Sequence, residues 1–355
     1  MYKIKLGVIG CGDIAFRSYL PAIQRLAHMV ELTAVCDIVA TRADRAKAQY
    51  GARAAFADAE EMLASAELDG VLVLTDMRSH GPLSLAALEA GKHVYVEKVM
   101  ATDLPQADRM IRLASERGTV LACAPSTVLL SAFQWVKKVV ESGQVGRITF
   151  AHAFAGHHGP ARWKEYTSDP TWFYLPGAGP LFDLAVYPVH ILAQILGPIR
   201  RVSAFSGLAV KELAMTAEPV RGKILRPAVD DTAVVLLDFG DTVFATIDVS
   251  YNLLAARFAQ MQFFGTCGSV TAPQFLGDEV GIWRQDSREW NVQRLPATEY
   301  DELGVAAGLL HWVDCIREGK EPINNARHAR HVLEALLACY RSAETGQAVT
   351  LQVHC

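Results

Sequence analysis

A glycine-rich turn near the N-terminus has the residue types that dinucleotide binding requires. Residues 10–15 read Gly-Cys-Gly-Asp-Ile-Ala, the pattern G-x-G-x-x-A, and they lie between a predicted strand and a predicted helix. Gly10 permits the tight turn, Gly12 lets the backbone approach a pyrophosphate, and Ala15 lets the helix pack closely. The N–H groups at the start of that helix would face the anion. The expected cofactor-binding residues of this turn are Gly10, Gly12, Asp13, Ile14 and Ala15.

An acidic residue follows the turn at the spacing that ribose binding needs. Asp37 ends the second predicted strand, where its carboxylate can accept hydrogen bonds from both hydroxyls of an adenine ribose. The same carboxylate would repel a 2′-phosphate, and the next residue is Ile38 rather than an arginine. NAD is therefore favoured over NADP, although Arg42 is close enough in sequence to weaken that preference. The alternative is a glycine turn that binds nothing.

Lys98 is the first candidate for acid–base chemistry. It follows the short apolar segment His93–Val96, so it lies at the carboxyl end of a predicted parallel strand, on the rim where doubly wound sheets bind ligands. A lysine that shares in proton transfer needs a pKa below its ordinary value of about 10.4. The alternative is a solvated surface charge, which is the usual state of a lysine.

A second group of polar residues has helical spacing in an apolar segment. Asp183, Tyr187 and His190 are related as i, i+4 and i+7, so a helix would project them from one face. Polar groups on the inner face of an apolar helix need partners or a function. A buried network that only stabilises the fold is the alternative.

A loop rich in histidine and aromatic residues is the predicted source of substrate contacts. His157, Trp163 and Trp172 fall in the stretch 155–176, and such side chains suit the C–H and O–H surfaces of a sugar. No carboxylate or cysteine follows the histidines at metal-ligand spacing, so no metal site is predicted.

The elements that must position these residues divide the chain into two parts. Over residues 1–125, short apolar runs alternate with helical patterns, which is typical of parallel strands joined by crossover helices. After residue 125, alternating segments predict an antiparallel or mixed sheet. The predicted class is α/β, with a doubly wound Rossmann domain over 1–125 and an α+β domain with a mainly antiparallel open sheet over 126–355. The predicted strands are Ile4–Ile9, Leu32–Cys36, Val71–Leu74, His93–Val96, Val120–Ala124, Thr232–Phe239, Thr242–Val249, Ala259–Phe264 and Ala348–Val353. The predicted helices are Leu83–Ala90, Asp103–Arg117, Ala132–Ser142, Val305–Arg317 and Ala326–Ala343.

Composition narrows the choice of partner and compartment. The chain has 355 residues, of which 51% are apolar and 20% charged, and this fits two globular domains without long disordered tracts. The net charge of -4 and the absence of a basic run argue against nucleic acid and anionic membranes as partners. No run of about 18 apolar residues predicts a membrane span. Seven cysteines without C-x-x-C spacing fit reduced thiols, so a cytoplasmic location is expected.

Taken in order, several segments of this chain resemble motifs of the glucose-fructose oxidoreductase and inositol dehydrogenase family, the Gfo/Idh/MocA family. The likeness runs from Lys5 to the C-terminus. The segments are residues 74–80 (Leu-Thr-Asp-Met-Arg-Ser-His, against A-T-P-N-x-x-H), residues 87–94 (A-L-E-A-G-K-H-V), Glu97-Lys98 (the first two residues of E-K-P), residues 177–187 (against G-G-G-x-x-x-D-x-G-x-H/Y) and residues 342–349 (against S-A-E-x-G-x-x-V).

The resemblance implies NAD(P)-dependent hydride transfer to or from a secondary alcohol or hemiacetal of a sugar, cyclitol or related polyol. Lys98 would hold a substrate hydroxyl and share in proton transfer. Tyrosine at position 187 resembles the xylose dehydrogenase, dihydrodiol dehydrogenase and glucose-fructose oxidoreductase branches, in which it is the acid/base. Asp183 would orient the substrate or Lys98. The further residues implied are Thr75, Asp76, His80, Glu97 and Lys98 for the cofactor, and His190, Trp163, His157 and Trp172 for the substrate.

Departures from the family pattern leave two other functions open. Val99 replaces the proline of E-K-P, and Asp76 replaces the proline of A-T-P-N and places an acid near the nicotinamide end. A non-catalytic NAD-binding sensor is one alternative. Redox-neutral glycoside processing with captive NAD is the other. The resemblance also implies a homodimer or homotetramer formed through the second-domain sheet.

Overall fold

The computed structural model describes residues 2–256 and 260–352 and divides the chain into two compact units. The first consists of residues 1–126 and 303–330, the second of residues 127–302 and 331–355. The domains predicted from the sequence, 1–125 and 126–355, differ from this division mainly at residues 303–330, which group with the first unit. The hydrogen bonds that join this segment to the first unit include Trp312 Nε1 to Val120 O (3.2 Å) and Asn324 Nδ2 to Cys123 O (2.9 Å).

The first unit contains a six-stranded parallel sheet in the order β3-β2-β1-β4-β5-β6. Its strands are β1 (Ile4–Ile9), β2 (Val30–Cys36), β3 (Ala54–Phe56), β4 (Gly70–Val73), β5 (His93–Val96) and β6 (Leu121–Cys123). Every residue of β4 and β6 is buried, as expected of strands covered on both faces. The order reverses at β1, which pairs with both β2 and β4, so the carboxyl ends of β1 and β4 form the crevice where such sheets bind ligands.

Three helices of this unit begin at an aspartate cap, and one of the three begins earlier than predicted. The helices in residues 2–126 are a π-helical turn (Ala15–Tyr19) continued by α1 (Leu20–Arg25), α2 (Ala40–Tyr50), α3 (Ala59–Ser65), α4 (Met77–Glu89) and α5 (Leu104–Arg117). The helix predicted to follow Pro82 starts at Met77 and contains the proline, because the Asp76 carboxylate caps its N-terminus by accepting from Arg78 N. Asp103 and Gly118 cap α5 as its sequence predicts.

The second unit contains a nine-stranded sheet that is antiparallel except where β7 and β12 pair in parallel. Its strands, in spatial order, are β16 (Trp290–Arg294), β15 (Glu279–Arg284), β14 (Gly268–Pro273), β13 (Gln260–Gly265), β7 (Ile148–Gly156), β12 (Val243–Ser250), β11 (Thr232–Gly240), β8 (Arg201–Gly207) and β17 (Val349–Thr350). A separate hairpin joins β9 (Leu213–Ala214) to β10 (Ile224–Leu225). The predicted fold class is confirmed. One predicted strand begins at Ala259 and another ends at Val353, and both residues lie outside the described residues.

The remaining helices include one that carries the candidate acid–base residues. They are α6 (Ser131–Glu141), a π-helical turn (Leu181–Ala185) continued by α7 (Val186–Leu196), α8 (Glu299–Leu303), α9 (Ala307–Glu318) and α10 (Ala326–Thr345). No helix among the described residues is both long enough and apolar enough to cross a membrane.

Candidate active site

The glycine turn has a backbone conformation that excludes a side chain. Gly10 has a φ of +96°, and a Cβ placed there would lie 2.8 Å from the carbonyl carbon of Leu74 and 2.9 Å from Thr75 Cγ2. Its N–H donates to Cys36 O at 2.8 Å, which joins the carboxyl ends of β1 and β2. Only glycine fits here, as a turn beneath a pyrophosphate requires.

Asp37 lies directly against this turn. Its Oδ2 accepts from Cys11 N at 2.8 Å, and its Oδ1 accepts from Val39 N at 2.8 Å. Arg42 Nη1 is 4.0 Å from Oδ1. Each carboxylate oxygen has a second lone pair, so the acid can still accept from ribose hydroxyls. Burial, followed by the Asp37 charge, raises the pKa of the Cys11 thiol to about 12, so the cysteine inside the fingerprint is a protonated packing residue.

The helix that follows begins at the last residues of the fingerprint. Phe16 N donates to Gly12 O at 3.2 Å, which closes the first turn, and Ala15 is completely buried. Ile14 is helical, and Asp13 accepts from Arg17 Nε at 3.0 Å. The start of this helix, the glycine conformation and the adjacent Asp37 together fit a dinucleotide.

At the end of β4, the predicted cofactor residues form a second turn. The Asp76 carboxylate caps α4 and also accepts from Ser79 Oγ at 2.9 Å. His80 is buried, with Nδ1 2.7 Å from Val99 O and Nε2 3.1 Å from Thr75 O. Burial lowers the His80 pKa, so the neutral ring donates to one carbonyl at a time. His80 thus joins the Thr75 turn to the segment that contains Lys98.

Glu97 and Lys98 follow β5 as predicted. Glu97 is buried, and its Oε2 accepts from Lys98 N at 3.0 Å. Its Oε1 accepts from the buried Tyr19 hydroxyl at 2.6 Å. Lys98 itself is partly exposed at the carboxyl end of β5. A short chain of hydrogen bonds therefore supports the backbone of the candidate lysine.

In the second unit, Asp183 lies in the π-helical turn that precedes α7. Its carboxylate is buried, and Oδ2 accepts from Tyr251 Oη at 2.9 Å. Burial, with the Asp183 charge next in importance, raises the Tyr251 pKa well above its usual range, so this phenol remains a donor. π-Helical turns occur frequently at functional sites.

The rest of the predicted helical group follows along α7. Tyr187 is partly exposed and packs against Phe275, with ring centroids 5.0 Å apart. His190 is buried one turn later. The three residues share a helix, as predicted, but Asp183 lies in the wider turn that precedes α7.

Ring contacts divide the predicted substrate residues between two groups. His157 stacks on Tyr251, with ring centroids 5.9 Å apart, and its Nδ1 accepts from Gly159 N at 2.8 Å. Trp163 packs against Tyr166 at 6.1 Å, Tyr166 against Phe173 at 6.0 Å, and Phe173 against Trp172 at 3.6 Å, so both tryptophans belong to one aromatic cluster. His157 is therefore linked to the candidate residue Asp183 through Tyr251.

Removal of the Tyr251 hydroxyl tests how strongly it supports Asp183. Tyr251→Phe leaves a buried carboxylate without this donor, and hydrogen bonds to charged groups contribute about 1.5–3 kcal/mol. We expect a loss of that size in the free energy of unfolding, measured by urea denaturation. Tyr340→Phe is the matched control, because Tyr340 donates to the neutral Ala178 carbonyl at 3.0 Å and its loss should cost about 1 kcal/mol. Equal losses in both variants would contradict a special role for the Tyr251–Asp183 bond.

Comparison with known proteins identifies the family of both units. Residues 4–124 match the model of an oxidoreductase family with an NAD-binding Rossmann fold, and residues 133–271 match the GFO/IDH/MocA C-terminal domain. A dTDP-3,4-didehydro-2,6-dideoxy-alpha-D-glucose 3-reductase from Streptomyces violaceoruber is 30% identical over 86% of this chain and 84% of its own. An inositol 2-dehydrogenase from Saccharopolyspora erythraea is 32% identical over 89% and 86%.

Solved structures share the fold over the whole chain. An oxidoreductase from Thermotoga maritima has a TM-score of 0.81 at 24% identity and covers 98% of each chain. An aldose-aldose oxidoreductase from Caulobacter crescentus has a TM-score of 0.81 at 22% identity and covers 99% of this chain and 100% of its own. With the two family models and these relatives, the fingerprint and the predicted motifs place this chain in the GFO/IDH/MocA family of NAD(P)-binding oxidoreductases.

Proposed function

We propose that the protein transfers a hydride between NAD and a secondary alcohol or hemiacetal carbon of a sugar, cyclitol or related polyol. The observation that carries the proposal is the Asp37 carboxylate, 2.8 Å from Cys11 N inside a glycine turn that admits no side chain. Lys98 follows β5 of the same sheet. Relatives named as inositol dehydrogenases and as a dTDP-keto-sugar reductase support both the substrate class and the redox chemistry.

The assigned roles separate the hydride from the proton. A bound nicotinamide would supply the hydride acceptor for oxidation or the hydride donor for reduction. Lys98 holds the substrate hydroxyl and, with Tyr187, takes the O–H proton during oxidation or returns it during reduction. Asp183, a charged acceptor fixed by Tyr251, orients the substrate or Lys98. In the oxidative direction the substrate carbon would lose a hydride to the cofactor and its hydroxyl would lose a proton, which leaves a carbonyl group.

Nucleotide titration and a substrate panel test this proposal. Calorimetry would measure binding of NAD and NADP, and fluorescence would follow NADH on addition of sugars, inositols or nucleotide-linked keto-sugars. NADH formed or consumed with one class supports the proposal. NAD binding without exchange favours a sensor, and product formed without net NADH favours redox-neutral glycoside processing. Absence of nucleotide binding would contradict the assignment from Gly10 onward.

The preference for NAD rests on the surroundings of Asp37 and can be shifted. Ile38 is 92% exposed and follows Asp37, so Ile38→Arg would place a guanidinium where a 2′-phosphate could pair with it. We expect NADP to bind about tenfold more tightly, as one charge-assisted contact allows, with little change for NAD. Ile224→Arg adds the same charge at an exposed position of β10 in the other unit. Equal NADP affinity in the two variants would contradict the prediction.

We also propose that two or four copies assemble through the outer face of the nine-stranded sheet. Apolar side chains are exposed on neighbouring strands of that face, including Phe205, paired with Val234, and Leu236 two residues further along β11. An apolar surface shared by adjacent strands is typical of a contact between proteins.

A cytoplasmic location is proposed from the cysteine pattern of the sequence.

Charge on this sheet face should disrupt the assembly. Leu236→Lys places an ammonium among apolar neighbours, and burial of an unpaired charge costs several kcal/mol. We expect light scattering to show a smaller species at micromolar concentration. Leu254→Lys is the control, because Leu254 is exposed outside the sheet. A wild-type monomer, or an unchanged mass in Leu236→Lys, would exclude this face as the interface.

A further inference from the structure

Tyr19 lies where the first helix meets the segment that contains Lys98. It is the last residue of the π-helical turn Ala15–Tyr19, four residues beyond the last fingerprint residue, and it is completely buried. Its hydroxyl donates to Glu97 Oε1 at 2.6 Å. Burial, with the Glu97 charge next in importance, raises the Tyr19 pKa well above its usual range, so the phenol keeps its proton and acts as the donor.

Glu97 transmits this contact to the candidate lysine. Its Oε2 accepts from Lys98 N at 3.0 Å, so one carboxylate bridges the Tyr19 hydroxyl and the backbone of Lys98. A buried carboxylate that loses one of two donors is free to rotate, and the hydrogen bond to Lys98 N depends on its orientation. His80 holds the other side of the segment through Val99 O at 2.7 Å.

The packing around Tyr19 leaves its ring little freedom. Tyr95 packs against it with ring centroids 5.8 Å apart, and Trp312 packs against Tyr95 at 6.1 Å. Gly308 is needed on α9, because a Cβ there would overlap the Tyr95 hydroxyl. Buried aromatic neighbours and the bond to Glu97 therefore hold the Tyr19 hydroxyl in place.

We propose that Tyr19 is a positioning residue for Lys98, acting through Glu97, so that the helix which begins at the dinucleotide fingerprint also fixes the lysine segment. This inference rests on the proposed function for its effect on turnover. The contact that it describes can be tested in the protein without substrate or cofactor.

Hydrogen exchange tests the contact directly. In Tyr19→Phe, which removes only the hydroxyl, we expect mass spectrometry to show at least severalfold faster amide exchange at residues 97–100, because Lys98 N loses its fixed acceptor. Tyr50→Phe is the matched control, since Tyr50 packs against Phe16 of the same helix and its hydroxyl accepts from Gln49 Nε2 at 3.4 Å. Unchanged exchange at residues 97–100 in a folded Tyr19→Phe protein would overturn the proposal.

Kinetics test the consequence. We expect Tyr19→Phe to lower kcat about tenfold with little change in NAD affinity, and Glu97→Gln to lower kcat at least as much. The double variant should be no slower than Glu97→Gln alone, because both changes break one chain of contacts. Additive losses would overturn the linkage. If the wild-type protein transfers no hydride, the proposed function has failed, and the exchange experiment still decides the role of Tyr19.

Discussion

Replacement of Lys98 by alanine is expected to lower kcat by about 10²–10⁴-fold, the range that a positioned acid–base group contributes. NAD affinity should stay near the wild-type value, because the turn at Gly10 and the carboxylate of Asp37 lie on other strands and stay intact. The fold should also persist, since Lys98 is partly exposed and Glu97, rather than the lysine side chain, holds its backbone N–H.

Two further variants separate the possible roles of Lys98. Lys98→Arg keeps the charge, but a guanidinium does not lose its proton near neutral pH. If the lysine transfers a proton, Lys98→Arg stays as slow as Lys98→Ala; if it only supplies charge, much of the rate returns. Lys47→Ala removes an exposed lysine from the last turn of α2 and should change neither kcat nor NAD affinity. A wild-type kcat in Lys98→Ala would remove this residue from the mechanism.

The parts of this site that the sequence predicts are those encoded locally. The fingerprint, Asp37 and Glu97-Lys98 each follow a short strand of mostly apolar residues, a pattern that burial on both faces produces in parallel sheets. The start of α4 was harder to predict, since Asp76 caps a helix that contains Pro82, and a proline within a helical pattern usually marks a boundary.

The residues that sequence reasoning missed act through contacts between distant positions. Tyr19 reaches Glu97 across 78 residues, and Tyr251 reaches Asp183 across 68. Each is a single tyrosine that stands at no fixed spacing from its partner in the sequence, so no periodic pattern identifies it. A distant contact also explains why the sequence did not predict that residues 303–330 belong to the first unit: Trp312 on α9 donates to the Val120 carbonyl across 192 residues. A boundary drawn from sequence order cannot detect a segment that returns to an earlier unit.

Gly10→Ala is expected to have the largest effect on cofactor binding. The new Cβ would lie 2.8 Å from the carbonyl carbon and oxygen of Leu74, whose N–H donates to Ile9 O of β1, so the strand end or the turn must move. A positive φ costs an alanine about 1–2 kcal/mol, and overpacking costs typically 1–3 kcal/mol more. We therefore expect a loss of roughly 2–5 kcal/mol in the free energy of unfolding, and no NAD binding at concentrations that saturate the wild-type protein.

Gly51→Ala separates the steric effect at Gly10 from the conformational one. Gly51 has a φ of +76° at the end of α2, but a Cβ there meets nothing within 4 Å. The Gly51 variant should lose only about 1 kcal/mol and bind NAD as the wild type does. Denaturation and calorimetric titration of the two variants provide the comparison. If Gly10→Ala binds NAD normally, the turn does not contact the cofactor. If both variants lose binding equally, the cause is a general loss of stability rather than the close approach of backbone to pyrophosphate that the fingerprint requires.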